Sequence, residues 1–577
     1  MPPKQIIVRP ISEATLAQDS DLHPVFKRLL AARLVGSLDE IDYRLANMLP
    51  LEAIRHLAQA AELLCNCLRA ARNILVFGDY DADGATSTAL CVRALTLLGH
   101  DQVSYLMPDR FIDGYGLSES AARRIVELSP DCVITVDNGI ASFEGIALLR
   151  AHGIEVIVTD HHLAASRLPD ASIIVNQNAW PDETRGKNLA GVGVAFYLML
   201  ALRKALRDSG WFDQNRREPN LADCLDLVAI GSIADLVPLD YNNRILVNEG
   251  LKRIRGGLCA PGVKALIEIS NKQMANLNSS DIAFAIAPKI NAAGRLDDMT
   301  VGVQCLLADD EPGARALATE LNDINLVRKD IQQQMSEEAN LQLAALDRDA
   351  LDNQHGIVLY QPDWHEGIVG IVAAKVREKF HRPSIVFAHS DDGFLKGSGR
   401  SIPGIHLRDM LDTVDKRNPG VILKFGGHAM AAGLSLQPQA LAQFSQSFEQ
   451  VIAEFADPAC FTECIECDGI LEPEYLNLDF AEDLQTLSPW GQRFPAPSFV
   501  GEFVVNEQRV LGTQHLKLVL ELSERESLPV PTVDAIAFFQ PVSVLETRYD
   551  KIHIHYELNV NRFRGQTILQ LLIRDIL

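Results

Sequence analysis

The sequence lacks an apolar run long enough to cross a membrane. The longest, residues 192–202, ends at Arg203 and Lys204 and falls well short of the roughly 20 residues that a membrane-spanning helix needs. We therefore expect a buried helix there. The N-terminal stretch, MPPKQIIVRPISEAT, has neither an apolar core nor a small-residue cleavage site, so no secretory signal is expected and the cytoplasm is the expected location.

Cysteine and basic charge are also in short supply. The ten cysteines follow no regular framework, which favours free thiols in a reducing compartment. With 53 basic and 76 acidic residues the net charge is −23, which by itself argues against a polyanionic ligand. Residues 361–430, however, hold ten basic and eight acidic side chains. Any nucleic acid is therefore expected to contact a restricted channel and not the whole surface.

Strand and helix patterns alternate from about residue 71 to residue 240. The strand patterns are NILVFG (73–78), CVITV (132–136) and IEVIVT (154–159), and residues 86–98 have a helical pattern. This alternation predicts a parallel, doubly wound α/β sheet. Ligands of such sheets bind at the carboxyl ends of the strands, where residues 79–83, Asp137 and residues 160–162 fall.

The remaining chain predicts further units, as 577 residues exceed one hydrophobic core. Residues 309–351 have a helical composition, and a second α/β unit begins at Gly356. Beyond Glu463 five short strand patterns indicate a small barrel of the OB type. The expected division is an N-terminal helical segment (1–70), a catalytic α/β domain (71–305), a connecting helix (306–352), a substrate-binding α/β domain (353–458) and an OB-like single-strand-binding domain (459–577).

The segment GDYDADG holds three carboxylates, Asp79, Asp81 and Asp83, directly after a strand. Their mutual repulsion is costly unless a cation offsets it, so a divalent metal is the simplest interpretation. An EF-hand is excluded because Leu90 stands where a bidentate glutamate is needed. A phosphate-binding Walker loop is excluded because no Gly-Lys-Ser/Thr follows. A solvated acidic turn is the structural alternative.

Four other residues, in three segments, carry chemistry. Asp137 opens Asp-Asn-Gly, which on its own also suits an ordinary turn. His161 and His162 follow an aspartate at a strand end, and there one imidazole can bind a metal while the other contacts substrate or a bridging water. Asp235 lies in an apolar segment, where the alternative is a buried ion pair with an arginine.

Together these residues offer about five carboxylates and two imidazoles, too many for one ion. A carboxylate-rich site without cysteine prefers Mg²⁺ or Mn²⁺, and the imidazoles favour Mn²⁺. Two such ions about 4 Å apart would stabilise the attacking and leaving oxygens of a phosphoryl displacement. The residues therefore predict metal-assisted phosphoester hydrolysis.

The ordered motifs GDYDADG, TVDNG and TDHH, with the Asp235 segment, resemble the DHH phosphoesterases. WHEGIVG, KGSGRS and FGGHAMAAG resemble the DHHA1 domain that accompanies them. MPDRFIDGYGLS, LAGVGVAFYLMLAL and KINAAGRLDD, followed by a β-rich domain, resemble the RecJ family of exonucleases. The resemblance covers nearly the whole chain.

This resemblance implies hydrolysis of single-stranded DNA from the 5′ end to mononucleotides, in recombination and repair, beside a helicase and the single-strand-binding protein. It also assigns roles. His162 would contact the scissile phosphate or the nucleophilic water, and Asp137 would bridge two metals. Asp83 would be the third catalytic residue. The implied metal ligands are Asp81, Asp83, Asp137, His161 and Asp235.

One position departs from the family pattern. Many DHH proteins carry a histidine four residues before the first ligand aspartate, and here that residue is Phe77. Either Asp79 takes its place as a ligand or one metal binds more weakly.

The candidate substrate-binding residues lie in three places. Arg110 and Arg295 are placed to meet phosphates, although surface ion pairs are the alternative. Trp364 and His365 offer a platform for a base, while Trp364 suits a core position equally well. The glycine-rich segments of the second α/β unit allow close backbone approach to DNA and supply Ser398, Arg400, Gly426, Gly427 and His428.

Two rival functions use the same residues. A DHH phosphodiesterase for short oligonucleotides or cyclic dinucleotides would need the same metals, but not a β-rich strand-binding domain. A scaffold that has lost its metals would not retain so many clustered carboxylates.

Overall fold

The structure is a computed structural model. It describes residues 4–11, 22–110, 112–114, 116–344, 354–390, 392–522, 532–563 and 565–577. The chain divides into two compact units. One comprises residues 9–325 and 467–577, and the other comprises residues 326–466 with the strand Lys4–Val8.

A five-stranded parallel sheet forms the centre of the first unit. Its strands lie in the spatial order Val103–Leu106, Ile74–Phe77, Cys132–Val136, Glu155–Thr159 and Ile173–Val175. The order reverses between the strands Ile74–Phe77 and Cys132–Val136. Beyond the carboxyl ends of two such strands lies the crevice in which doubly wound sheets bind ligands. The predicted doubly wound sheet is confirmed.

Alternate residues of the strand Ile74–Phe77 face opposite sides of this sheet. Ile74 and Val76 belong to a core shared with the helices Leu57–Arg69, Ala82–Leu97 and Gly191–Asp208. Leu75 and Phe77 belong to a second core with the helices Glu119–Leu128 and Phe143–Ala151. Both faces are thus covered, as parallel sheets require.

The apolar run at residues 192–202 lies in the helix Gly191–Asp208, and most of its side chains are buried, as predicted. Across the part of the chain that the structure describes, no helix is both long and apolar enough to span a membrane. The other helices of this unit are Pro24–Ala31, Leu225–Ala234, Tyr241–Arg255, Pro261–Ile269, Ser279–Asp281, Ala287–Leu296 and Thr300–Leu307, with a π-helical turn at Ile282–Ile286.

The predicted long helix is present as Glu311–Ala344. Its first turn contains Pro312. At that position the missing N–H of proline costs no helical hydrogen bond. The last seven residues of the predicted range, 345–351, lie outside the described residues.

The C-terminal part of the first unit is a closed five-stranded barrel, which confirms the OB-like prediction. Residues that alternate along one strand, Leu516, Leu518 and Leu520, are fully buried inside it. The helices Leu478–Leu487 and Val542–Glu546 accompany the barrel. Its strands, in spatial order, are Phe499–Leu511, His515–Leu522, Val533–Ala537, Gln566–Ile576 and Lys551–Phe563.

The second unit contains a mixed five-stranded sheet, and its α/β character agrees with the prediction. The strand Ile357–Tyr360 is parallel to its neighbour, and the other pairs are antiparallel. The helices are Val369–Phe380, Leu407–Arg417 and Leu441–Phe455. In spatial order the strands are Ile422–Gly427, Ala431–Leu436, Leu395–Arg400, Ser384–His389 and Ile357–Tyr360, and a separate pair joins Lys4–Val8 to Glu463–Cys467.

Candidate metal centre

The loop between the strand Ile74–Phe77 and the helix Ala82–Leu97, together with the first turn of that helix, holds the first three carboxylates. Asp81 caps the helix, and its Oδ1 accepts the backbone N–H groups of Asp83 and Gly84 at 3.0 Å. Asp79 is buried and accepts the N–H of Tyr80 at 2.7 Å. Burial, followed by the charge of Asp81, raises the pKa of Asp79 to about 8. The loop therefore holds two carboxyl groups so placed that the charge of Asp81 opposes the ionisation of Asp79.

Asp83 lies where two helices begin. Its carboxylate accepts the N–H groups of Gly191 at 2.7 Å and Val192 at 2.9 Å, which open the helix Gly191–Asp208. The partial positive charge at that helix end stabilises the anion. Burial and then the charge of Asp81 nevertheless raise the pKa of Asp83 to about 7.

Asp137 follows the strand Cys132–Val136 in a left-handed conformation, with φ of 62°. A Cβ on Gly191 would lie 2.5 Å from the Asp137 Cβ and 2.7 Å from its Oδ1, so only glycine leaves room for this carboxylate. The Oδ1 atom is buried and accepts no hydrogen bond. A buried oxygen of this kind is costly unless a cation binds it.

His161 joins two of the carboxylates. Its Nε2 lies 3.1 Å from Asp137 Oδ1 and 3.4 Å from Asp235 Oδ2, yet this buried atom also makes no hydrogen bond. Asp235 is the C-cap of the helix Leu225–Ala234. Burial, and then the charge of His162, lowers the pKa of His161 to about 4. The imidazole is therefore neutral at pH 7, the form that binds metals.

Among the described residues, three groups of side chains bring their ligand atoms within 4.8 Å of one another. Asp137 and His161 each belong to two of them, so the groups form one acidic cluster with room for more than one ion. Burial first, and then the charge of Asp83, raises the pKa of both Asp137 and Asp235 well above the usual range. Divalent cations would relieve this repulsion, so the residues fit two such ions. The groups are Asp79 with Asp81 and Asp137, Asp83 with His161 and Asp235, and Asp137 with His161 and His162.

Asp160 orients the two histidines, a role that was not predicted from the sequence. Asp160 lies outside these three groups, is buried, and holds the histidines through its Oδ1. This atom is 2.7 Å from His162 Nδ1 and accepts the N–H groups of His161 at 2.7 Å and His162 at 3.0 Å. Its Oδ2 accepts the N–H of Ile140 at 2.9 Å. A carboxylate adjacent to a metal-site histidine was the available signal, because such pairs commonly fix the ring.

Asp160 also sets the charge of His162. Burial by itself lowers the pKa of this imidazole, but the hydrogen bond and charge of Asp160, with Asp235 and Asp79, raise it to about 9. The two adjacent histidines therefore differ, with His161 neutral and His162 protonated at pH 7 in the metal-free protein.

Two amides that the sequence reasoning missed fix the loops of the cluster. Asn138 is fully buried, and its Nδ2 donates to the carbonyls of Gly78 at 2.8 Å and Val136 at 2.9 Å, which joins two strand ends. Asn291 Oδ1 accepts the N–H of Ala82 at 2.8 Å. Asn291 is 209 residues from its partner, so no local pattern indicated this contact.

Phe77 is fully buried in the core with Leu117 and Ile140. This core lies on one face of the sheet, and Val76 lies on the other. An apolar side chain there supplies no ligand. Asp79, in contrast, lies in a group with Asp81 and Asp137.

The two candidate arginines of the first unit belong to segments beside the GDYDADG loop. The guanidinium of Arg110 lies 4.1 Å from the centre of the Tyr80 ring, and its positive charge acts to lower the pKa of Asp79. Arg295 belongs to the helix Ala287–Leu296, which contacts this loop so closely that a Cβ on Gly294 would overlap the Tyr80 carbonyl oxygen.

In the second unit, four of the candidate residues belong to one sheet, and a fifth, His428, directly follows its edge strand. Arg400 donates to Ser398 Oγ at 3.1 Å and to the carbonyl of Gly399 at 2.8 Å. Gly426 and Ser398 both pair with Gly433, so the three share a row across the sheet. Gly427 has φ of 144° and His428, next to it, is exposed. The row consists of small residues and leaves the backbone accessible.

The expectation that Trp364 stacks on a base is wrong for this structure. Its side chain is 3% exposed, and its Nε1 donates to Glu338 at 2.6 Å. The ring belongs to the core, the alternative that its sequence position allowed. His365 is half-buried, and its Nδ1 accepts the N–H of Gly367 at 3.0 Å.

The sheet order and the acidic cluster define a DHH-type phosphoesterase. The model of the DHH family N-terminal domain matches residues 73–232, that of the DHHA1 domain matches residues 353–454, and that of the RecJ OB domain matches residues 467–575. One match falls in each of the three folded regions described above, namely the parallel sheet, the mixed sheet and the barrel.

Full-length relatives identify the family within this class. The single-stranded-DNA-specific exonuclease RecJ of Salmonella typhimurium is 47% identical over 570 residues, covering 98% of each chain. The Escherichia coli protein of the same name is 47% identical over 562 residues, covering 96% of each. The chain therefore belongs to the RecJ family.

Solved structures of the family show the same fold. RecJ from Thermus thermophilus in complex with Mn²⁺ superposes with a TM-score of 0.81 at 29% identity, covering all of this chain and 79% of that one. The Mg²⁺ complex from the same organism gives a TM-score of 0.75 at 28% identity, covering 100% and 78%.

Proposed function

We propose that this protein is a single-stranded-DNA-specific exonuclease that hydrolyses phosphodiester bonds with two divalent cations, Mn²⁺ or Mg²⁺. The observation that carries this proposal is the pair Asp137 and His161. Their buried atoms Oδ1 and Nε2 face each other at 3.1 Å without a hydrogen bond, and each residue belongs to two of the three ligand groups. Two adjacent cations explain both features.

Each ion has a distinct set of candidate ligands. Asp79, Asp81 and Asp137 would hold one ion, and Asp83, His161 and Asp235 the other, with Asp137 between them. Bound divalent ions supply a hydroxide nucleophile at neutral pH and stabilise the charge of the leaving oxygen. The remaining groups position the DNA.

His162 is a candidate for contact with the scissile phosphate. Asp160 keeps its ring in one orientation and favours the imidazolium, which can donate to a phosphate oxygen. Arg110 and Arg295 lie on segments beside the same loop and are candidate phosphate ligands. Their guanidinium groups match phosphate oxygens in charge and geometry.

Two surfaces are candidates for binding the rest of the single-stranded DNA. The sheet face that carries Ser398, Arg400 and Gly426, with Gly427 and His428 at the end of its edge strand, is the candidate surface in the second unit. The OB-type barrel is the other, because barrels of this kind bind single strands along a groove. We accordingly assign residues 71–305 to catalysis, 306–352 to a connecting helix, 353–458 and 459–577 to strand binding, and 1–70 to an N-terminal segment.

The biological setting follows the family. We propose entry of the 5′ end, release of mononucleotides, a role in recombination and repair in the cytoplasm, and work beside a helicase and the single-strand-binding protein. Curated relatives named as single-stranded-DNA-specific exonucleases support the substrate. Polarity and protein partners rest on the family resemblance.

The test compares substrates and variants in the presence of Mn²⁺. Oligonucleotides labelled at the 5′ or the 3′ end, as single strands, duplexes and dinucleotides, are incubated with the protein and with Asp137→Ala. We expect stepwise degradation of the single strand from its 5′ end and loss of activity in the variant. Asp182→Ala, at an exposed ion pair with Arg55, is the matched control. Preference for dinucleotides, or an active Asp137→Ala protein, would overturn the proposal.

A further inference from the structure

Two leucines on the rim of the acidic cluster are unusually exposed. Leu163 directly follows His162 and is 63% exposed, and Leu236 directly follows Asp235 and is 65% exposed. The segments that carry them meet at the cluster, where Asp235 Oδ2 lies 3.4 Å from His161 Nε2. Each leucine therefore directly follows a residue of the polar cluster in sequence and exposes a large apolar side chain.

Besides being exposed, Leu236 has a strained backbone conformation. Its φ is 58°, a left-handed conformation that a branched side chain rarely adopts. It lies just past the end of the helix Leu225–Ala234, and its N–H donates to the carbonyl of Ile233 at 3.3 Å. Glycine is the common residue at such helix ends because it has no Cβ. A glycine would remove both the strain and the exposed apolar surface.

We infer that Leu163 and Leu236 form an apolar contact for the base of the nucleotide whose phosphate occupies the acidic cluster. This inference rests on the proposed function and adds substrate-contacting residues to it. The charged parts of a nucleotide suit cations and arginines, whereas the faces of its base are apolar. An unpaired base offers a face of this kind whatever its identity, and a stacked base pair does not.

The contact favours single strands without reading sequence. Aliphatic side chains offer no hydrogen bonds to base edges, so all four bases are accepted. A strand that is still paired keeps its base faces stacked and gains nothing from the two leucines.

Leu34 provides a matched control for Leu236. It is 78% exposed, has φ of 62°, and lies just past the helix Pro24–Ala31, where its N–H donates to the carbonyl of Ala31 at 3.0 Å. The two leucines therefore share a left-handed conformation and high exposure, and each lies within three residues of a helix end. Only Leu236 adjoins a residue of the acidic cluster.

The experiment measures kcat/KM with Mn²⁺ for Leu236→Gly, Leu163→Ser and Leu34→Gly. The substrates are a single-stranded oligonucleotide and the same strand with an abasic site at either of its first two positions. We expect a loss of about five- to tenfold for Leu236→Gly and Leu163→Ser on the intact strand, the scale of a lost apolar contact. Removal of the base should produce a similar loss in the wild type, and the two losses should not multiply.

Thermal unfolding separates this role from a structural one. Leu236→Gly and Leu34→Gly should both unfold at the wild-type temperature or higher, because glycine relieves the left-handed strain. Equal kcat/KM for Leu236→Gly, Leu34→Gly and the wild type on the intact strand would overturn the inference. So would losses that multiply with base removal. A wild-type protein inactive on single strands would instead refute the proposed function, and this inference with it.

Discussion

Asp160 Oδ1 lies 2.7 Å from His162 Nδ1, and this contact fixes both the orientation and the charge of the second histidine of the DHH motif. The same oxygen accepts two backbone N–H groups, so the carboxylate is held rigidly.

Asp160→Asn should lower exonuclease activity by about 10- to 100-fold, the usual cost of losing a partner that orients a metal-site histidine. An amide can still accept the backbone N–H groups, but it cannot stabilise the imidazolium. The pKa of His162 should therefore fall from about 9, as measured by NMR titration of the metal-free protein. Retained activity together with an unchanged His162 titration would contradict this role, and Asp182→Asn serves as the control.

Mn²⁺ affinity should rise as pH increases from 6 to 9. The pKa of Asp79 is raised to about 8 and that of Asp83 to about 7 by burial and by Asp81, so both carboxyls are largely protonated at pH 6 in the metal-free protein. The metal must displace those protons, at roughly tenfold in affinity per pH unit for each proton. Calorimetry in buffers of different ionisation enthalpy measures the proton release. An affinity independent of pH would show that these carboxyls are not ligands.

Gly191→Ala should abolish tight metal binding, because its Cβ would lie 2.5 Å from the Cβ of Asp137 and force that carboxylate to move. We expect a loss of activity of about 100-fold or more, on the scale of a misplaced catalytic group. Gly193→Ala, in the same helix, is the control. Its Cβ would meet only the side chain of Leu189 at 3.0 Å, which can shift. Similar Mn²⁺ affinity in the two variants would refute the assignment.

Asp468→Asn should lower the free energy of unfolding by about 3 to 5 kcal/mol, because the buried guanidinium of Arg33 loses this carboxylate as its counter-charge. Asp468 pairs with Arg33 at 2.9 Å and Arg9 at 3.0 Å, all with side chains at most 11% exposed. Glu472→Gln removes the more exposed partner of Arg28 and should cost less than about 1 kcal/mol. Denaturant unfolding measures the free energy of unfolding of both variants. Equal losses would show that burial of the ion pair does not determine how much stability is lost.

Much of the site could be predicted because its parts are local in sequence. Asp79, Asp81 and Asp83 follow one strand, Asp137 and His161 follow two others, and parallel strands bring their carboxyl ends to one edge. The barrel was likewise evident from alternating strands. Trp364 could not be placed, since its motif suits both a surface and a core, and its partner Glu338 lies in the preceding long helix, 26 residues away.

The sequence by itself determined the candidate ligands, the doubly wound sheet and the preference for hard divalent cations, because residue type and strand order depend on short segments. Only the tertiary structure decided that Phe77 faces a core, that Asp160 holds His162, and that Gly191 leaves room for Asp137. The Gly191–Asp137 contact joins distant parts of the chain, and the other two outcomes depend on the direction in which a side chain leaves the backbone. Spacing along the chain specifies neither.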